Sequence, residues 1–275
     1  MCDRSEFANY WHLPELGGLE LLNARYEEQA FTKHSHEGYC IAVIEDGAQT
    51  FQWQGSNYYA NERHIVLINA DEVHTGSPVQ ESGWEYHAIY PTPEMIAHIN
   101  KDLFKQTGAP WFSDAVVDDH GLVQQLMQLF LLLEQEGNTL LKETFYLSTM
   151  AYLIAKHGQS TPEIQQLSDS KKQILWVKEF IYAYPEREFT LNELANMAHL
   201  SQWHFLRQFN QHVGMTPHKW LIQARLHKAS RLLKQGLRPI DIAVDCGFSD
   251  QSHFNRHFKK AFGVTPTQYT NSLFA

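Results

Sequence analysis

The chain is 275 residues long, enough for two ordinary domains, and its 43% hydrophobic and 19% charged residues exclude a disordered protein. Its three cysteines, Cys2, Cys40 and Cys246, are odd in number and far apart, which excludes a disulfide framework and points to a reducing compartment. The formal charge of -9 hides two opposed halves: residues 171–275 carry 14 Lys+Arg against 7 Asp+Glu, whereas residues 1–170 carry 8 against 24.

The opening residues, MCDRSEFANYWHLPELGG, lack a basic region ahead of an apolar run, so no signal peptide is read there. The longest apolar stretch, Leu129–Leu133, is far short of a membrane span. The expectation is a soluble cytoplasmic protein with no membrane partner.

Residues 19–90 read as β structure. Short apolar or alternating runs at Tyr39–Ile44, Thr50–Trp53 and His64–Ile68 are separated by Asp46-Gly47, Gly55-Ser56-Asn57 and Gly76-Ser77-Pro78, which read as turns. Strands at this spacing form a small sandwich or barrel. Strand parity puts His34, His36, Cys40, Ala42 and Ile44 on one face, the barrel interior.

His34-Ser-His36, Gly47 and Asn69-x-Asp71-x-x-His74 together resemble the two cupin motifs. Cys40 stands at the family's glutamate position, and Asn69 and Asp71 replace its Pro and Gly. Three histidines and a cysteine can ligate Zn²⁺ or Fe²⁺. The missing carboxylate instead favours histidines that hydrogen-bond an organic effector or satisfy one another in the core, so no metal or other cofactor is expected. His34, His36, Cys40 and His74, with Trp53, Trp84, Tyr86 and His87 as walls, make up the expected effector pocket.

After Pro91 the period changes. Leu122, Leu126, Leu129 and Leu133 recur at helical spacing, and Phe145, Met150 and Ile154 continue the pattern beyond Gly137-Asn138. Residues 118–157 are therefore expected to form a helical hairpin. The Phe130–Leu133 run is more apolar than one buried face requires, so the hairpin is expected to dimerise the chain. Residues 158–170 read as a linker.

Residues 171–275 contain an internal repeat. Glu193-Leu-Ala-Asn-Met-Ala-His-Leu-Ser201 aligns with Asp241-Ile-Ala-Val-Asp-Cys-Gly-Phe-Ser249. One insertion later, Phe205, Arg207, Phe209, Gly214, Pro217 and Trp220 match Phe254, Arg256, Phe258, Gly263, Pro266 and Tyr269. Each copy has helix-turn-helix grammar, with first helices at Leu191–Ala198 and Ile240–Cys246 and N-caps at Ser201 and Asp250. Gly247 supplies the positive φ of the second turn, and His199 holds that place in the first.

At 100° per residue, Phe205 and Phe209 define a core stripe in copy one, as do Phe254, Phe258 and Phe262 in copy two. Trp203 and Arg207 lie nearly opposite the first stripe, flanked by Leu206 and Asn210, and Ser252 and Arg256 lie opposite the second, beside Asn255 and Lys259; with Gln202 and Gln251 at the N-terminal ends, these are the expected DNA contacts. Between Leu194 and Ile240 there is no Asp or Glu, while Arg207, Lys219, Arg225, Lys228, Arg231, Lys234 and Arg238 all fall there. A phosphate-binding surface is expected from that run.

The segment Gly247-Phe-Ser-Asp-Gln-Ser-His-Phe-Asn-Arg-His-Phe-Lys-Lys-Ala-Phe-Gly-Val-Thr-Pro-Thr-Gln-Tyr269 resembles the signature of AraC/XylS-type bacterial transcription regulators. Arg225-x5-Arg231-Leu-Leu is similar to the long helix joining that family's two helix-turn-helix units. The resemblance covers residues 171–270. It implies a seven-helix domain with two recognition helices in successive major grooves, RNA polymerase as a partner, a cupin-like sensor and a homodimer; activator is the expected class, with the sign of regulation left open against repressor.

The expected fold class is α+β. Residues 1–157 form a cupin-like β-barrel with a helical hairpin, and residues 171–275 form an all-α tandem helix-turn-helix domain. The expected function is sequence-specific transcription regulation, without enzymatic activity, controlled by a small-molecule effector. The competing classes are a metal-dependent cupin enzyme fused to a DNA-binding module, and a constitutive DNA-binding protein whose barrel is an interaction surface.

Overall fold

The computed structural model describes residues 6–80, 82–104, 107–135, 139–159 and 169–273. Cys2, the Gly137-Asn138 break and most of the expected linker lie outside the described residues. The chain divides into two compact units, residues 1–163 and 164–274.

The first unit contains strands β1 (Phe7–Leu13), β2 (Leu19–Tyr26), β3 (Phe31–His34), β4 (Cys40–Trp53), β5 (Ser56–Asn61), β6 (Ile65–Ile68), β7 (His74–Pro78) and β8 (Trp84–Ile89). There follow α1 (Pro93–Phe104), β9 (Trp111–Phe112), β10 (Val116–Val117), α2 (His120–Glu134), α3 (Thr139–His157) and β11 (Gly158–Gln159). The sheet begins earlier than residue 19, because β1 pairs with β2 from Leu13↔Leu19 to Phe7↔Arg25.

One leaf runs β1-β2-β8-β4-β6-β10, and β5, β7 and β3 attach through the far half of β4. The Asp46-Gly47 pair, which reads as a turn, is a bulge instead. The β4–β8 register shifts between Ile44 and Asp46, and β4 continues unbroken to Trp53. Gly47 adopts φ +74, and a Cβ there would run into the Gly83 carbonyl. Gly76-Ser77-Pro78 likewise lies inside β7, where a side chain at Gly76 would displace the Gln49 amide. The true reversal is Gln54-Gly55, with φ of 49° and 81°, between the paired Trp53 and Ser56. Two positive φ values in a two-residue loop match the twist of a hairpin.

Directly paired residues share a face of the sheet. Leu21↔Ile89↔Ile41↔Leu67 form one row on the face covered by helices. They join Ile96 and Ile99 of α1, Leu122, Leu126, Leu129, Phe130 and Leu133 of α2, and Met150 and Leu153 of α3 in one core. Each such side chain contributes about 1.5–3 kcal/mol on burial. Asp119 caps α2 by accepting from the Leu122 amide, and it also meets Lys156 Nζ at 2.7 Å and His157 Nε2 at 3.0 Å. The start of α2 is thereby tied to the end of α3.

The second unit has seven helices among the described residues: α4 (Asp169–Ala183), α5 (Leu191–Met197), α6 (Gln202–Val213), α7 (Pro217–Lys234), α8 (Pro239–Asp245), α9 (Gln251–Phe262) and α10 (Pro266–Leu273). Helix α7 is buried nearly all round, Trp220, Ala224, Leu226, Ala229 and Leu233 included. The matched aromatic residues that follow each unit are both anchored by a hydrogen bond, though to different partners. Trp220 Nε1 donates to the Lys178 carbonyl at 3.0 Å, and its counterpart Tyr269 pairs its hydroxyl with Ser230 Oγ at 3.1 Å. No helix among the described residues is long and apolar enough to cross a membrane.

Candidate nucleic-acid interface and sensor pocket

Helices α6 and α9 are amphipathic in the expected sense. Phe205, Phe209, Phe254 and Phe258 are fully buried, while Gln202, Trp203, Arg207, Asn210, Gln251, Ser252, Arg256 and Lys259 are exposed and Asn255 is half-buried. Ser201 and Asp250 cap these helices by accepting from the His204 and His253 amides, which orients both N-termini. Trp203 is 69% exposed, and the Arg207 guanidinium lies 5.8 Å from its ring. Leu206 sits at the border, where it also lines an apolar pocket with Ile181, Phe189, Leu194 and Leu221.

The basic run divides into two groups. Arg225 is only 8% exposed, and it donates through Nε to the Pro185 carbonyl at 2.8 Å and through a terminal nitrogen to the Arg187 carbonyl at 3.2 Å. Lys228 bonds Glu186 and the Asp245 carbonyl, and Arg238 pairs with Asp241 at 2.7 Å. Arg225 and Lys228 hold backbone segments together, contrary to the expectation drawn from charge alone, whereas the Arg238 pair is a local surface contact. Arg207, Lys219, Arg231 and Arg238 are exposed, and Lys234 is half-buried.

In the first unit, the face away from the helices carries Tyr26↔Trp84, Ala24↔Tyr86↔Ile44, and Tyr10↔Leu22↔Ala88↔Ala42↔Val66. Side chains from the other strands close over it. Phe31 of β3 meets Tyr26 at 5.1 Å and Trp84 at 6.4 Å, and His36 meets Tyr90 at 5.0 Å. Cys40 belongs to this interior, where burial pushes its thiol up to about 12 against a lowering hydrogen bond with Tyr90. Burial also drives the Tyr86 and Tyr90 hydroxyls far above the ordinary tyrosine range, and neighbouring phenols and Cys40 add to the effect.

His34, His36 and His74 come together, with one ring nitrogen from each lying within 4.8 Å of the others. His34 faces His74 in the β3–β7 register. Strand parity alone does not explain this grouping: β3 ends at His34, and His36 lies in the turn before β4. That turn is held by the Asp71 amide, which donates to the His36 carbonyl at 2.8 Å. Asp71 adopts φ +63, the conformation a glycine would take, and Asn69 exchanges two hydrogen bonds with the Phe112 backbone. The Pro and Gly substitutions therefore preserve the turn. Burial lowers His74 to about 4, against a backbone bond to Glu72 that raises it, so its imidazole is neutral near pH 7.

Trp84 stacks on Tyr86 at 6.2 Å, and Trp53 stacks on Trp111 at 6.3 Å while facing His74 in register. His87 is not a pocket wall. It stands on the helix-covered face, stacks on Phe130 at 5.3 Å, and lies between Glu45 and Glu134 at 3.1 and 3.0 Å. Sequence reading missed Tyr10, Tyr26, Phe31 and Tyr90. Alternation of Tyr86, Ala88 and Tyr90 marks the last of these, but Tyr10 precedes the expected barrel and enters only through the β1–β2 pairing.

Residues 194–272 match a helix-turn-helix domain model, and residues 16–149 match the AraC-like ligand binding domain model. The HTH-type transcriptional regulator YbfI of Bacillus subtilis (strain 168) is 32% identical over 225 residues, covering 82% of each chain. The HTH-type transcriptional activator RhaS of Shigella sonnei (strain Ss046) is 26% identical over 254 residues, covering 89% of each. The crystal structure of unsaturated fatty acid-bound ToxT from Vibrio cholerae has a TM-score of 0.58 at 16% identity, covering 98% of this chain and 96% of ToxT, so the two share a fold. Two matched domains and a relative at this identity place the chain in the AraC family of helix-turn-helix transcriptional regulators.

Proposed function

We propose that the protein is a cytoplasmic, non-enzymatic transcription activator that binds operator DNA through α6 and α9 as a homodimer, responds to a small molecule held in the interior of the first unit, and works with RNA polymerase. The observation that carries the reading is the matched placement of Arg207 and Arg256. Each is exposed opposite a pair of fully buried phenylalanines, at equivalent positions of a repeated helix-turn-helix. Such helices enter the major groove with their N-terminal residues on base edges. RhaS, similar over most of its length, is named an activator.

The effector site draws support from the interior of the first unit. Ala24, Ala42 and Ala88 leave its centre uncrowded, and Tyr10, Tyr26, Tyr86 and Tyr90 surround it. Tyr86 and Tyr90 retain accessible surface although burial shifts their hydroxyls strongly, as side chains facing an internal space do. The Nε1 donors of Trp53 and Trp84 are buried with no hydrogen-bond partner. A few polar anchors among aromatic walls suit a small ligand. An effector that prefers one arrangement of the protein shifts its population toward DNA-competent states.

The test is operator binding by fluorescence anisotropy, using the promoter regions flanking the gene. Arg207→Ala and Arg256→Ala are each expected to lose about 1–3 kcal/mol of specific affinity where they read a base. Unchanged affinity in both variants rejects the assignment of α6 and α9 to the groove.

A further inference from the structure

We infer that the second unit holds a small-molecule site of its own: an apolar pocket behind α6 that takes an uncharged, planar ligand of bicyclic size. The pocket lies wholly within the second unit, so it stands independently of the effector reading for the first.

Four helices converge on it. Ile181 of α4, Leu194 of α5, Leu206 of α6 and Leu221 of α7 line the pocket, with Phe189 from the loop between α4 and α5. Ile181, Leu194 and Leu221 are buried, so the core sets the floor. Leu206 is 36% exposed and stands at the rim with Thr216 and His218.

The repeat shows that the helix-turn-helix frame does not require this lining. In the alignment that matches Phe205 with Phe254 and Pro217 with Pro266, Leu206 corresponds to Asn255 and Leu221 to Thr270. The second copy builds the same frame with polar, half-buried side chains at both places. The apolar walls are therefore a property of the first copy alone.

Volume and chemistry define the occupant. The pocket measures about 230 Å³. A cavity of about 150 Å³ lined by Leu, Ile and Phe stays dry and takes up benzene, so a space about half as large again suits a fused bicyclic of roughly nine or ten non-hydrogen atoms. No Asp, Glu, Lys or Arg is among the lining residues, and an ionised ligand would leave its charge unpaired there. The polar handle is the Thr216 hydroxyl at the rim. Its oxygen caps α7 by accepting from the Lys219 amide at 3.4 Å, and its proton can donate to an ether or carbonyl oxygen.

Leu206 couples the pocket to the DNA face, since it flanks Trp203 and Arg207 on α6. A ligand that holds Leu206 against the pocket withdraws it from DNA. Ligand and operator then compete for one side chain, and each weakens the other's binding by the same factor. This coupling, unlike the site, rests on the proposed placement of α6 in the groove.

The probe is benzofuran, titrated into the full-length chain carrying ¹³C-labelled Ile and Leu methyl groups. Saturable NMR shifts are expected at the methyls of Ile181, Leu194, Leu206 and Leu221, and benzofuran-2-carboxylate should cause none. Leu206→Asn and Leu221→Thr copy the second unit, and each is expected to weaken binding about tenfold. Should Leu221→Thr fail to fold, Leu206→Asn at the rim decides alone. Leu237→Asn, at an exposed leucine ahead of α8, is the control and should bind as wild type. Benzofuran should also weaken operator binding in the anisotropy assay. Absence of saturable shifts at these methyls, or binding that survives both substitutions, overturns the site. An equal response to the carboxylate overturns the ligand class, and methyl shifts with unchanged operator affinity overturn the coupling alone.

Discussion

His199 and Gly247 occupy the same turn position in the two helix-turn-helix units, and both adopt left-handed backbone, with φ of 53° and 87°. The histidine accepts a conformation that glycine takes freely and that costs an ordinary L-residue roughly 1–2 kcal/mol. His199→Gly is therefore expected to stabilise the second unit by up to about 1 kcal/mol, a gain reduced by the extra flexibility of the unfolded chain. Gly247→Ala should act oppositely and more strongly, because a Cβ there meets Arg225 Nε at 2.8 Å and Glu186 Cα at 3.0 Å. Calorimetric unfolding of the full chain measures both shifts; equal Tm values for the two variants would refute the argument.

Arg225 separates fold from binding. Its buried guanidinium satisfies two loop carbonyls, so Arg225→Ala leaves those acceptors without their donor and should destabilise the unit by about 1.5–3 kcal/mol. Loss of operator binding in this variant should follow the loss of folded protein, with an unchanged salt dependence. A well-folded Arg225→Ala chain with a smaller salt slope would make Arg225 a phosphate contact.

The hairpin exposes several leucines, and it is the surface proposed here for self-association. Leu131 is 53% exposed and Leu140 69%, and Leu141 and Leu147 are also open. Within the run that prompts the dimer expectation, Phe130 and Leu133 are core and only Leu131 is well exposed. The outward leucines of α3 extend the patch. Leu140 and Leu147 lie seven residues apart on one helix face. Leu140→Arg with Leu147→Arg should convert a dimer to a monomer in sedimentation velocity while preserving Tm at low concentration. A wild-type chain that sediments as a monomer at all concentrations rejects the interface.

Asp119 predicts an acid response of the hairpin. Burial pushes its carboxyl up, yet the hydrogen bonds from Lys156, His157 and the Leu122 amide outweigh this and hold it down to about 2. A carboxyl depressed on folding contributes stability above its unfolded pKa, and that stability is lost as pH falls through the folded value. The window here is about pH 4 down to pH 2. Because Lys156 is half exposed, solvent screening limits the contribution to roughly 1 kcal/mol. Asp119→Asn should flatten the stability slope across that window in urea titrations. An unaltered slope would show that Asp119 does not link the helices.

The tandem repeat made the second unit legible residue by residue. Phenylalanine stripes, capping residues and turn positions all recur at one spacing, and each copy checks the other. The sensor was less legible. Asp46-Gly47 and Gly76-Ser77-Pro78 have turn composition, but turn residues also serve bulges and close approaches, and only the partner strand decides between these uses. His87 shows the same limit. Its neighbours Tyr86 and Ala88 face inward, so parity puts it against α2, a helix whose position no local pattern reveals. Net charge was the weakest guide, since it does not distinguish a lysine awaiting phosphate from an arginine holding two carbonyls of one loop.

The pairing of β2 with β8 has a consequence for how the chain is made. Leu21 can find Ile89 only after the intervening five strands have left the ribosome, and β4 cannot settle between β6 and β8 before then. Non-local antiparallel pairing is slow, whereas the short helices of the second unit close through neighbouring contacts. The half synthesised first is thus the half that matures last, with its aromatic strands uncovered in the interval. Chaperone demand and inclusion-body formation on overexpression should arise from residues 7–89, and slower translation across that segment should relieve both.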